Sequence, residues 1–367
     1  MKVLLNANSS WYLLNFRKNI IKAMLLKNYD VFCMAPRDEY TEELKSLGVK
    51  FLEVNFDRQS KNIFKEMLLL FKFYKAVRRV SPNFLINFTV KNNLYGTIVA
   101  AYIGKIRIIN NITGLGSEFI SKSLASKIIK YLYSLIKNFP HHTYFQNHDD
   151  ANFFVSNHMV NIARYSILPG SGVDCSFFHP RFMHKGSNHE FRFIFLGRLI
   201  ADKGIIELIK SIKKLNFNYP HAKLTILGMI DHENPSKLSL DKINEYCKDD
   251  FIDLVINKNN VRDYLSNSDC FVLPSYREGL PKAALEAMAM GLPIILSNVT
   301  GCKELLIEGF NGTYCEAKSE ESLNLAMERM IRKRKSTLLK MGKKSRELIE
   351  KSYSEDIVIS DLLNRLE

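Results

Sequence analysis

The chain of 367 residues has six cysteines, and none of Cys33, Cys175, Cys247, Cys270, Cys302 and Cys315 forms a Cys-x-x-Cys pair. That scatter excludes a disulfide framework and a thiolate metal site, so buried free thiols are expected. No run of about 18 uncharged apolar residues occurs, which excludes a membrane-spanning helix. The apolar start Val3-Leu4-Leu5 is too short for a signal peptide and reads as a buried first strand, pointing to a cytoplasmic protein. Neither G-x-G-x-x-G nor G-x-x-x-x-G-K-S/T occurs in full, so Thr113-Gly114-Leu115-Gly116-Ser117-Glu118 is not a phosphate fingerprint of either kind. The neighbours His141 and His142 would point to opposite faces of a strand, and no other ligand cluster suggests a metal. No nucleic-acid motif accompanies the basic residues. Neither a metal nor a nucleic acid is therefore expected as a partner. No repeat of solenoid period and no low-complexity tract is present.

What the chain does carry is positive charge, 52 Lys and Arg against 38 Asp and Glu, a net +14. Residues 1–180 hold 23 cations against 12 anions, so the N-terminal half accounts for +11 of it. Such a bias favours anionic partners: an acidic membrane leaflet or a phosphorylated substrate. Two segments concentrate it. Lys61–Arg79 mixes six cations with Phe64, Phe71, Phe73 and Tyr74 at helical spacing, and Ser121–Phe139 has the same character with Lys122, Lys127, Lys130 and Lys137. Each suits either a core-facing helix with a solvated face or a basic amphipathic helix lying on an anionic membrane.

At this length two domains are expected. Short apolar runs at Val3–Leu5, Val31–Met34, Phe51–Val54, Phe84–Asn87 and Ile106–Ile109 alternate with longer amphipathic stretches. A second series runs through Phe191–Leu196, Leu224–Leu227, Ile252–Val255, Cys270–Leu273 and Ile294–Leu296. The pattern is α/β with two doubly wound, Rossmann-like domains. The polar, aperiodic segment His179–Glu190 reads as the linker. Domains are expected at 1–180 and 181–352, with a last helix over about 353–367 capped by Ser354.

Two spaced motifs carry the chemistry. Gly197-Arg198-Leu-Ile-Ala-Asp-Lys203-Gly204 supplies two cations that stay protonated at neutral pH and suit a diphosphate. Glu278-Gly279-Leu280-Pro281-Lys-Ala-Ala-Leu-Glu286 supplies two carboxylates, which accept hydrogen bonds from paired hydroxyls. Pro281 sets up a helix running to Met290, with Glu286 about a turn and a half inside it. The apolar neighbours of Glu286 predict a buried helix, where a carboxylate needs a partner.

Arg198, Lys203, Glu278 and Glu286, in this order and spacing, resemble the donor site of family-four retaining glycosyltransferases of the GT-B fold. The similarity continues through Asp269–Pro281, Gly291–Ser297, Gly301-Cys302-Lys303-Glu304 and Gly309–Gly312. It implies two domains facing a cleft, with the last helix crossing back to the N-terminal domain. By the same resemblance Arg198 and Lys203 stabilise the leaving diphosphate, Glu278 contacts the donor sugar, and Glu286 holds the ribose. Gly279, Leu280, Gly301 and Cys302 complete the donor side, the last two through backbone amides. Asn8 and Ser9 stand where many relatives have a glycine-rich loop. Thr113, Gly114, Leu115 and Gly116 resemble the acceptor-side loop of bacterial enzymes that build glycans on polyprenyl diphosphate. The resemblance thus implies a hexosyl- or N-acetylhexosaminyltransferase using a nucleotide-sugar, with a UDP-sugar expected, and a lipid-linked glycan acceptor, without a cofactor or metal. It would act in polysaccharide, O-antigen or capsule assembly, peripherally at the cytoplasmic face of the inner membrane. The alternatives are a same-fold epimerase or glycogen-type synthase, and a non-catalytic nucleotide-sugar-binding subunit.

Overall fold

The computed structural model describes residues 1–55, 62–116, 119, 123–180, 190–231, 234, 236–257 and 260–367. Two compact units are present. One comprises Met1–Ser171 together with Val358–Glu367, the other Gly172–Ile357. The expected linker runs over 179–190, of which residues 181–189 lie outside the described residues, as do Lys61, Glu118, Ser121 and Lys122.

In the first unit seven strands among the described residues lie parallel: β1 (Lys2–Asn6), β2 (Asp30–Ala35), β3 (Lys50–Glu53), β4 (Phe84–Phe88), β5 (Arg107–Ile112), β6 (His142–Phe145) and β7 (Tyr165–Ile167). Their order is β3-β2-β1-β4-β5-β6-β7. The second unit holds β8 (Phe191–Arg198), β9 (Ala222–Met229), β10 (Ile252–Ile256), β11 (Cys270–Leu273), β12 (Ile294–Ser297) and β13 (Gly312–Cys315), ordered β10-β9-β8-β11-β12-β13. Central strands covered by helices on both faces read as unbroken apolar runs, and β4 and β11 are buried at every residue. Strands β6, β7 and β13 add to the series expected from sequence. They are short and mix apolar with polar residues, so little periodicity marks them.

Each sheet reverses direction once. The chain moves from β1 to β2 on one side and from β4 to β5 on the other, so the connections part between β1 and β4; in the second sheet they part between β8 and β11. Crevices at the carboxyl ends of strands open at such switch points.

The last helix, Glu355–Leu366, completes the first unit, as expected from the resemblance. Val358, Leu362, Leu363 and Leu366 pack into the core that holds Val3, Leu5, Leu13 and Ile86. Polar contacts fix its register, since Tyr144 donates its hydroxyl proton to the Asp361 carboxylate and receives Arg365 Nε–H at 2.6 Å. On the opposite face of the sheet the helix Val90–Ile103 packs against both Ile63–Val80 and Leu124–Ile136. Each outer helix leaves an apolar stripe in solvent, Phe64, Met67, Leu68 and Phe71 on one and Leu124, Ile128, Tyr131 and Leu135 on the other. Leu362→Ala should cost about 2–5 kcal/mol, because buried leucine truncation loses transfer energy and leaves a cavity. Urea denaturation checks it, and an unchanged midpoint would contradict the docking of this helix.

Candidate active site

In the second unit the loops after β8, β11 and β12 converge at the switch point. Arg198 is the last residue of β8, and the chain then turns through the 3-10 segment Ala201–Lys203. At Gly204, φ is +68° and a β-carbon would collide with the Pro274 carbonyl, so a side chain there would push the β8 and β11 exits apart. Tyr276 N–H donates to the Asp202 carbonyl at 2.8 Å and ties the same two loops together.

That approach puts Lys203 Nζ directly on Glu278 Oε1, with only 15% and 12% of the side chains exposed. Ser275 Oγ donates to the same carboxylate oxygen at 2.6 Å. Glu278 N–H donates to the Thr300 carbonyl at 3.1 Å, which brings up the loop after β12. Gly301, at φ +81°, lies so close that a β-carbon would stand 2.6 Å from the Glu278 carbonyl. Lys203, Glu278, Gly279 and Gly301 are thus gathered at the switch point of the second sheet.

The other residues expected on the donor side have different surroundings. Arg198 is half-exposed and its Nη1 donates to Asp231 Oδ2 at 2.7 Å, a partner that no sequence motif marks. Glu286 sits in the helix Lys282–Ala289, with Lys282 Nζ 3.9 Å from its carboxylate. Pro281 is the N-cap of that helix, one place before the first-turn position expected of it. Cys302 is a correction: its thiol is buried, and its N–H closes a turn onto the Val299 carbonyl at 3.1 Å. It therefore offers a donor phosphate neither group. Burial pushes the Cys302 thiol well above its ordinary range, with the Glu278 charge adding to the effect. Leu280 is half-buried against the core.

In the first unit Ser9 is buried and caps the helix Ser10–Leu26, its Oγ accepting Tyr12 N–H at 3.1 Å. Ser10 is turned inward to Thr41. Asn8 remains the partly exposed polar side chain of that loop. The acceptor-side loop Thr113-Gly114-Leu115-Gly116 is anchored at Leu115, whose N–H donates to the buried Asp150 carboxylate at 3.2 Å while its side chain packs into the core. A group of buried asparagines at the ends of β1, β4 and β5 has no counterpart in the sequence motifs; its only signal is Asn at the close of successive apolar runs.

Among the described residues no group of three or more His, Cys, Asp or Glu is placed to hold a metal ion. Burial raises the Glu286 carboxyl above its ordinary pKa, partly offset by Lys282. A raised acid favours the folded state only while protonated. The cost of ionising it is absent below the unfolded value of about 4.3 and fully present above the raised folded one. Glu286→Gln should therefore melt higher than wild type at pH 7, with the difference vanishing near pH 4. Thermal melts at the two pH values check this; a lower melting temperature at pH 7 would contradict the unfavourable burial.

Comparison with known proteins agrees with these observations. Residues 181–351 match the family described as glycosyl transferases group 1, and residues 2–146 match glycosyl transferase 4-like. The N,N'-diacetylbacillosaminyl-diphospho-undecaprenol alpha-1,3-N-acetylgalactosaminyltransferase of Campylobacter jejuni is 27% identical, over 96% of this chain and 94% of its own. The UDP-Gal:alpha-D-GlcNAc-diphosphoundecaprenol alpha-1,3-galactosyltransferase of Escherichia coli is 25% identical, over 73% of this chain and 71% of its own. Among solved structures, Anabaena Alr3699/HepE in complex with UDP and glucose superposes with a TM-score of 0.80 at 13% identity, covering 100% of this chain and 99% of that one. With two Rossmann-like units and a family model matched in each, the chain is a GT-B glycosyltransferase that carries a glycosyl transferase 4-like domain followed by a glycosyl transferases group 1 domain.

Proposed function

We propose that this enzyme moves a hexosyl or N-acetylhexosaminyl group from a UDP-sugar to a glycan carried on polyprenyl diphosphate, with retention at the anomeric carbon. The observation that carries the reading is the meeting of Lys203 and Glu278 where the β8 and β11 connections part. The printed activities of the two undecaprenyl-diphosphate relatives support the acceptor class. Lys203 has two further ammonium donors for a diphosphate oxygen, and Glu278 keeps lone pairs for sugar hydroxyls. Glu286 takes the ribose hydroxyls, and Arg198 swings from its exposed pairing with Asp231 to the phosphates. An exposed ion pair of this kind is worth about 0–1 kcal/mol, so releasing it costs little.

In the reaction the bond from the anomeric carbon to the diphosphate oxygen breaks, and the acceptor oxygen bonds to that carbon on the same face. The departing oxygen takes the acceptor proton, giving a glycoside and UDP. The protein holds the reactants together and offsets the charge growing on the leaving group. The two cations serve where a divalent ion otherwise would. Transfer from UDP-galactose or UDP-N-acetylgalactosamine to polyprenyl-diphosphate N-acetylglucosamine should proceed in EDTA and give the α product by NMR. Lys203→Ala should lower turnover about a hundredfold or more. A β product, or activity lost to EDTA and restored by manganese, would overturn the mechanism; failure to bind any UDP-sugar would overturn the function.

The acceptor's lipid also gives the exposed stripes on Ile63–Val80 and Leu124–Ile136 a use. Phe64 is 84% exposed and Leu124 73%, while Lys65, Lys72, Lys75, Arg78, Arg79 and Lys127 are exposed on the same two helices. Apolar residues flanked by cations match an anionic leaflet, where each Lys or Arg near the surface contributes about 1 kcal/mol. Among the described residues no helix is long and apolar enough to cross a membrane, so attachment by these faces is reversible. Charge reversal at Lys72, Lys75, Arg78 and Arg79 should release the protein from phosphatidylglycerol liposomes in a sedimentation assay and leave UDP affinity intact. Wild-type protein that ignores such liposomes at low salt would contradict this face.

A further inference from the structure

The first unit carries a chain of buried amides directly beneath its switch point. Asn6 closes β1, Asn87 is the next-to-last residue of β4, and Asn110 lies in β5; with Asn92 and Thr97 from the helix Val90–Ile103, all five are at most 2% exposed. Five hydrogen bonds run in one direction, and at the far end Thr97 Oγ1 returns one to Asn110 Oδ1 at 3.3 Å. Thr89 Oγ1 donates to Asn92 Oδ1 at 3.1 Å, and Asn92 Nδ2 donates to Asn6 Oδ1 at 2.6 Å. Asn6 Nδ2 continues to Asn87 Oδ1 at 2.8 Å, Asn87 Nδ2 to Asn110 Oδ1 at 2.9 Å, and Asn110 Nδ2 to Thr97 Oγ1 at 2.9 Å. Aligned bonds in a medium of low dielectric polarise one another.

Thr89 heads this chain, and it is the one member partly open to solvent. Its backbone has φ +73° and ψ 161°, a region that glycine occupies almost alone. The two side chains that precede it in β4 hold it there. Asn87 is locked into the amide chain on one face of β4, and on the other Phe88 lies under the buried Arg17 guanidinium, 4.4 Å from its ring centroid. Arg17 is fixed in turn by the Tyr12 hydroxyl and the Gly170 carbonyl. A threonine kept in a glycine conformation, with so much built to keep it there, implies use of its side chain. Because its proton is directed at Asn92, Oγ1 presents lone pairs outward.

We propose that Thr89 is an acceptor-binding residue whose Oγ1 accepts a hydrogen bond from a hydroxyl of the acceptor sugar, with Asn92, Asn6, Asn87 and Asn110 as the positioning residues that fix its polarity. The inference rests on the transferase reading above and adds a specificity residue that neither the sequence motifs nor the resemblance supplies. It places the acceptor sugar over the β1–β4 crevice, next to the Asn8 loop.

Thr89→Gly tests it, since glycine fits this backbone without strain and the variant should fold. With UDP-galactose and polyprenyl-diphosphate N-acetylglucosamine as probes, we expect kcat/KM for the acceptor to fall about tenfold or more, mainly through KM. The melting temperature should rise, UDP affinity should stay within about twofold, and Thr89→Ser should restore transfer. Wild-type transfer by Thr89→Gly would overturn the proposal, as would a matching loss of UDP affinity. Equal loss in Thr89→Ser and Thr89→Gly would also overturn it, because the hydroxyl would then be irrelevant. Wild-type protein that binds no UDP-sugar would instead defeat the transferase reading itself.

Discussion

The contact between Lys203 and Glu278 is the constraint on which the loops of the second unit's switch point depend. Two opposite charges held mostly out of water persist only in mutual contact, since removing one leaves the other buried without compensation. Their meeting requires the exits of β8, β11 and β12 to lie within a side chain's width of one another, and the missing β-carbons of Gly204 and Gly301 allow that. Ser275 and the backbone link from Glu278 to Thr300 then fix the carboxylate. A ligand reaching this place meets groups already aligned, with hydrogen-bonding capacity left over, and little reorganisation remains for the moment of reaction.

The first unit answers the same topology with different chemistry. Its switch point is floored by uncharged amides, each donating one hydrogen bond and accepting another, instead of by ions. A network satisfied at every member rigidifies three strand ends without the desolvation cost of charge. This division suits the two tasks of the proposed transfer. A leaving diphosphate gains negative charge and calls for cations, whereas an incoming hydroxyl needs orientation by dipoles that do not titrate.

Much of this was legible in the sequence. The buried strands stand out because helices cover both faces, as in Phe191–Leu196, and Lys203, Glu278 and Gly301 could be singled out from their motifs before the loops that carry them were seen to meet. Asp231 could not be foreseen as the partner of Arg198, because an ion pair 33 residues apart depends on where two loops land. The Cys302 amide was misjudged for a related reason: whether an N–H faces a ligand or closes a turn depends on one backbone angle, not on composition. The asparagine chain escaped notice because polar residues inside a strand weaken the apolar signal, and their partners lie up to 86 residues away.

The last helix has a consequence for how the molecule is made. Its residues Val358–Glu367 belong to the first unit, whereas everything from Gly172 to Ile357 belongs to the second. On the ribosome the N-terminal sheet therefore emerges first yet remains without one of its covering elements until the second unit has been synthesised. The apolar groove lined by Val3, Leu13 and Ile86 waits, open, for Val358, Leu362 and Leu366. Vectorial synthesis ordinarily lets the leading domain finish first. Here the order of completion is inverted, and until the last helix arrives that groove of the first unit stays uncovered.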